Sequence, residues 1–434
     1  MLAALLLALG QVPGLPSPEG PIFSSPSLGA SFAFFEFAPG NGRGMTAPCA
    51  CTTPSGAMGE VLNFARASVA ECYSNDGQTL TQCGLNQPRV SSGDVTSGVV
   101  GLWVEALGTR QNDAVRSRDL SNAVWTKTNM TCARTALGMR NDTNGASTCT
   151  ATAANGSVLQ AMVLGAATRN TSLHIKRRTG TGVVEVTRDN GTTWTAITAS
   201  LSSSVWRRVV SEQAAGCLGG NCIVVAAMTS GIANPTIGIR IGTNGDAVDV
   251  DFVQDEGGAF PSSPIETVAT AASRVDETAD VVKTLGLAAG GCGAATIVGG
   301  ASSHGLPGGG NLGAILSRGA SGGGIDVSMY VWPFVGAGNA AAVDGTPVVS
   351  AGATGFGAGP AFPQGSTRIV WRHSLLWTAC VDGVCANSAA STWNPAADLT
   401  RIIFHRSSAA ASNTMAHVVK RVQVDPVAAR CDAL

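Results

Sequence analysis

The sequence predicts an all-β protein, with an N-terminal β-rich region followed by two tandem antiparallel β-sandwiches. Two features of the residues lead to the β class. From residue 158 to 253, short runs of apolar and β-branched residues recur about every 8–14 residues, broken by turn signals such as Asp189-Asn190-Gly191 and Thr243-Asn244-Gly245. Glycine fills 55 of 434 positions, well above the usual share of roughly 7%, and without the G-X-Y period of collagen. Such an excess suits tight turns between short strands.

Residues 1–30 read as a signal-like or docking segment plus a linker. Leu2 to Gly10 is an apolar run long enough for the core of a signal peptide and too short to span a bilayer. Ala8-Leu9-Gly10 would serve as a cleavage site before Gln11, but no Lys or Arg precedes the run. The alternative is a short hydrophobic helix packed on a partner chain. Residues 11–30, rich in Pro, Ser and Gly, form the linker.

Residues 31–124 form the N-terminal β-rich region, opening on the alternating run SFAFFEF at 31–37 and continuing through EVLNFARAS and GVVGLWVEA. Residues 125–256 form the first sandwich. Its expected strands lie at 158–164, 172–178, 183–188, 193–198, 206–211, 223–228, 236–241 and 247–253. In the last of these, Val248, Val250 and Phe252 alternate with Asp249 and Asp251, which predicts one face in the core and the other in water. Residues 257–280, carrying Pro261 and Pro264, read as a second linker, and 281–434 as the second sandwich.

The chain contains twelve cysteines. Cys217-LGGN-Cys222 and Cys380-VDGV-Cys385 each enclose a glycine-containing turn, as a hairpin disulfide requires. Cys132 with Cys149, and Cys72 with Cys83, span loops and complete four expected bridges. Zinc spacing is absent, and a disulfide framework places the protein in an oxidising compartment: virion or extracellular space. The alternative is a set of reduced, buried thiols.

The formal net charge is −1, so no basic field exists to hold nucleic acid or an anionic membrane. Apolar residues make up 44% of the chain, too many for a disordered one. No G-x-S-x-G elbow or phosphate loop occurs. Glu185, Asp249 and Asp251 could face one side of the first sandwich, where two of them would supply the carboxylate pair of a glycoside hydrolase, but strand alternation accounts for them as solvent-face residues. Asp249 and Asp251, with Asp255 and Glu256 following, could also offer oxygen ligands to calcium, although the spacing departs from an EF-hand. Trp194, Trp206, Trp377 and Trp393 are candidate stacking platforms for sugar rings. Trp194 follows the Asn190-Gly191 turn and Trp393 precedes Pro395, which makes these two the candidate ligand contacts.

Four stretches carry a family resemblance. The first is Val61–Val69 (VLNFARASV) with Leu85–Val90 (LNQPRV), and the second Gly101–Asp113 (GLWVEALGTRQND) running on into Ser117–Asn129 (SRDLSNAVWTKTN). The third is Val248–Val282, and the last Arg368–Ser388 with Met415–Pro426. Together they resemble bacteriophage virion and tail-fibre-type proteins, also encoded in bacterial genomes, in which an N-terminal β region precedes lectin-like jelly-roll and laminin-G or concanavalin A-like modules. The cysteine content departs from typical members. The resemblance implies a non-enzymatic structural or adhesion component of a phage-type particle, touching a host-surface polysaccharide or a neighbouring virion protein. Fibre proteins of this sort are often homo-oligomers, commonly trimers. The rival expectation is a secreted, lectin-like cell-surface protein with the same folds.

Overall fold

The computed structural model describes residues 65–73, 78–87, 109–211, 221–258, 261–275 and 277 together with Glu105, and the backbone of further strands outside them. Among the described residues the regular structure is strand, with two short 3-10 turns and no α-helix. The all-β expectation holds.

The described residues form a two-layer sandwich with two separate two-stranded pairs beside its sheets, one of Ala70–Tyr73 with Leu80–Cys83 and one of Arg110–Asn112 with Ala272–Arg274. The strands of all of these, in chain order, are β1 (Ala70–Tyr73), β2 (Leu80–Cys83), β3 (Arg110–Asn112), β4 (Thr126–Thr128), β5 (Met130–Ala136), β6 (Ala146–Ala151), β7 (Gly156–Ala161) and β8 (Arg169–Thr179). They continue as β9 (Val184–Thr187), β10 (Thr195–Ala196), β11 (Arg207–Val210), β12 (Cys222–Val224), β13 (Thr229–Ser230), β14 (Thr236–Ile241), β15 (Ala247–Gly257) and β16 (Ala272–Arg274). One sheet has seven strands in the order β12-β11-β8-β15-β6-β5, with β13 paired to β8; the other has five, β10-β9-β14-β7-β4. Pairing is antiparallel except between β11 and β12.

Period-2 patterning explains the layers. Val158, Val184, Val186, Ile237, Ile239 and Ile241 project from the five-stranded sheet. They meet Leu173, Ile175, Val209, Val248 and Val250 from the seven-stranded sheet in one buried cluster, with Trp125 among them. All eight strands expected between 158 and 253 are present, several shorter than their apolar runs.

The expected solvent face of β15 does not exist. Every residue from Ala247 to Glu256 is buried, Asp249 and Asp251 included. Two covers account for this. The β1–β2 hairpin and residues 261–275 lie over the outer face of the seven-stranded sheet, so this part of the second linker is a strap in which Ser262, Ser263, Ile265 and Thr267 are buried. Alternation also breaks within the strand. Phe252 sits at φ 45°, and the β8–β15 register shifts between Ser172 and His174. This bulge turns Phe252 to the outer face, beside Tyr73 and Trp206, and sends Val253 into the core instead.

The strands flanking the sandwich pair with one another. Ala33–Glu36 and Gly101–Ala106 both pair with Met415–Asp425, and Leu62–Ala65 pairs with Thr278–Val282. Strands from residues 31–124 thus pair with strands of the C-terminal segment. Their pairing partners lie hundreds of residues away, beyond the reach of any local pattern.

Two expected disulfides form within the described residues. Cys72–Cys83 closes the hairpin at a Cα separation of 5.9 Å, and Cys132–Cys149 joins directly opposed residues of β5 and β6 at 4.1 Å. Cys222 is also disulfide-bonded, while its expected partner Cys217 lies outside the described residues. The backbone register sets Cys380 opposite Cys385. Replacing both Cys132 and Cys149 with alanine is expected to lower stability by about 3 kcal/mol, the chain-entropy value for a loop of this length; calorimetry of the double variant measures it.

Candidate functional site

The two sheets differ in what they offer a ligand. On the seven-stranded sheet, the outer face is filled with paired charges. Asp251 accepts from Arg118 Nε at 2.7 Å and from the backbone N–H groups of Met139 and Phe252, each at 2.9 Å. Arg118 also reaches Asp142 at 2.8 Å, and its guanidinium lies 4.5 Å from the centre of the Phe252 ring. Against the desolvation that burial imposes, the carboxylates of Asp251 and Asp142 hold Arg118 above its ordinary value. Burial outweighs Arg118 at Asp251 itself and keeps that carboxyl above the usual range. Asp249 accepts from Thr148 Oγ1 at 2.8 Å and pairs with Arg178 at 3.3 Å.

Further along β15, Asp255 takes Arg169 at 2.8 Å, Thr171 at 2.7 Å and Arg188 at 3.3 Å. Glu256 accepts from the strap's Ser262 hydroxyl at 2.8 Å. The strap also gives Ser263 to Glu105, and Glu277 pairs with Arg66 at 2.8 Å. These carboxylates are cross-links between the strap, the sandwich and the preceding chain. Asp249 and Asp251, the candidate calcium ligands, belong to this layer with arginine partners. Among the described residues no group of three or more His, Cys, Asp or Glu could hold a metal.

On the five-stranded sheet, register aligns Thr128, Ser157, Arg240, Glu185 and Ala196 in one row across all five strands. Their chain neighbours Val158, Val184, Val186, Ile239 and Ile241 are buried inward, so this row faces out; Thr128 and Ala196 are exposed and the rest half-buried. Among the described residues no strap or hairpin crosses it.

Trp194 stands at the edge of this face. Asn190 and Gly191 both have positive φ, at 59° and 74°, and Thr192 N–H donates to Asp189 O at 3.3 Å, forming the type I′ geometry that Asn-Gly favours. A Cβ at Gly191 would stand 2.7 Å from Trp194 Nε1, so glycine is needed for the indole to lie against the turn. Asp189 braces the turn, accepting from Thr193 N–H at 2.8 Å and Thr187 Oγ1 at 2.9 Å. Although its partial burial opposes this, those hydrogen bonds hold the Asp189 carboxyl below the usual range. The Arg240 guanidinium lies 4.5 Å from the centre of the Trp194 ring, and its Nε donates to Glu185 at 2.6 Å.

The structure thus separates the residues picked from the sequence. Trp194 is half-buried at the edge of the five-stranded sheet's outer face, Asp249 and Asp251 lie on the opposite sheet, and Trp393 falls outside the described residues. Trp206 is buried, with Lys176 Nζ 4.8 Å from its ring centre. Arg240 is the residue that sequence reasoning missed. Its only local signal is a charge within the alternating run TIGIRI of β14, which says nothing of a tryptophan 46 positions upstream. An indole face beside a held Arg–Glu pair can stack on the apolar face of a sugar ring while the charged pair hydrogen-bonds its hydroxyls. The chain matches no protein-family model and no curated protein.

Proposed function

We propose that the protein is a non-enzymatic structural and adhesion component of a phage-type particle, acting outside the cytoplasm, whose sandwich holds a host-surface polysaccharide on the outer face of the five-stranded sheet. The observation that carries this reading is the asymmetry of the two sheets. One has both faces built into the protein, while the other keeps a row that no described strap or hairpin crosses, with Arg240 and Glu185 in it and Trp194 beside them. A non-enzymatic role fits the engagement of Asp251, Asp255, Glu71 and Glu277 with arginines, which leaves these carboxylates poorly placed for acid–base work. The two disulfides fit an oxidising setting.

Affinity electrophoresis in gels containing surface polysaccharide tests the assignment. Trp194→Ala is expected to weaken retention about tenfold, the loss of one aromatic contact, with an unchanged near-ultraviolet circular dichroism spectrum outside the missing indole. Equal retention of variant and parent would remove Trp194 from the binding face. If the parent itself is not retained by any host polysaccharide, the glycan-binding reading fails.

A further inference from the structure

The β1–β2 hairpin meets the seven-stranded sheet around one buried imidazole. His174 is 2% exposed, its Nε2 lies 3.0 Å from the Tyr73 hydroxyl, and its Nδ1 has no hydrogen-bond partner among the described residues. Around it, Tyr73 and Leu80 of the hairpin cover Ala136, Met139, Ala146, Trp206 and Phe252. Gln78 at the hairpin turn accepts through Oε1 from the backbone N–H of Trp206 at 2.9 Å, and Leu80 N–H donates to Met139 O at 2.7 Å. The Cys72–Cys83 bridge makes the hairpin a unit that moves as one piece.

We propose that this hairpin is an acid-released clamp: protonation of His174 in mildly acidic medium lifts it from the sheet and uncovers Phe252 and Trp206.

The charged groups facing His174 come from every element around it. Arg208 stands opposite on β11 and Asp251 opposite on β15, the latter engaged by Arg118. Lys176 lies two residues along on β8. The hairpin supplies Tyr73 and, through Arg140, Glu71; the strap supplies Glu266 to that same arginine. Burial, then the Arg208 charge, holds His174 well below its ordinary value in the docked state. A released imidazole titrates near 6.5, so docking weakens by up to tenfold for each pH unit below that value. Burial holds Glu71, like Asp251, above the usual carboxylate range, and their protonation favours the docked state at lower pH. The two trends oppose each other, so release belongs to mildly acidic medium and not to strong acid.

Hydrogen exchange read by mass spectrometry on the full chain tests this, with rates corrected for intrinsic pH dependence. Between pH 7.5 and 5.5, exchange in a peptide covering 70–83 is expected to rise at least fivefold, while peptides from β14 stay protected. His174→Gln is expected to flatten the pH response. Tyr73→Phe, which keeps the imidazole buried, is expected to retain the response from a weaker starting point. Equal protection of 70–83 at both pH values, or an unaltered response in His174→Gln, would overturn the proposal. Should His174→Gln fail to fold, loss of the response in Tyr73→Phe would overturn it equally.

Discussion

Arg118→Ala is expected to destabilise the sandwich by about 3–5 kcal/mol, the cost of stranding one member of a buried ion pair. Asp251 would remain fully buried with two backbone donors and no cation. Arg118 also joins the 138–145 loop to the sheet through Asp142 and covers the Phe252 ring, so its loss loosens that loop. The effect carries a pH signature. Without Arg118 the Asp251 carboxyl rises still further above its unfolded value, so the folded variant gains by taking up a proton. The difference from the parent protein should narrow as pH falls from 7 towards 5. Urea unfolding at the two pH values measures both quantities. Arg118→Met combined with Asp251→Asn, which leaves no buried charge, should recover part of the loss. If Arg118→Ala costs under 1 kcal/mol, the pair is more hydrated than its geometry implies.

Trp125→Ala is expected to cost about 3–5 kcal/mol through the cavity it leaves. The indole is 1% exposed within the inter-sheet core, and its Nε1 donates to Arg116 O at 3.2 Å. Lys127 closes the same loop, its ammonium donating to the carbonyls of Leu120, Ser121, Asn122 and Trp125. Trp125→Phe keeps most of the volume and should cost less than half as much. Thermal unfolding of the two variants separates packing from the single hydrogen bond; equal losses would assign the role to the N–H instead.

The sandwich was legible where its residues alternate and its turns announce themselves. β14 emerges at 236–241 as expected because TIGIRI alternates between Pro235 before it and the Thr243-Asn244-Gly245 turn after it. β4, β5 and β6 were not legible, since TKT, MTCARTA and ASTCTA are short of branched apolar residues and owe their place to pairing. The pairing of Cys132 with Cys149 was the trace they left. The strap escaped notice for a different reason. Its Pro and Ser composition resembles a linker, yet Ser262, Ser263 and Thr267 bury themselves by hydrogen-bonding to Glu256, Glu105 and Ala114. Asp249 and Asp251 were misjudged on the same account, because alternation identifies two faces without saying whether water reaches either. Trp194 could be picked out by its turn, while Arg240 could not, since only the β9–β14 register brings it there.

The pairing of strand Ala33–Glu36 with Met415–Asp425 bears on how the molecule is made. A ribosome adding roughly 5–20 residues per second needs about 20–80 s to travel from the first strand to the last. The intervening sandwich can fold on emergence, since its own strands pair among themselves. The earlier strands meanwhile wait with open backbone edges, the condition under which chains join their neighbours. Synthesis rate and holding chaperones should therefore govern the yield of native protein more strongly than the stability of the finished sandwich.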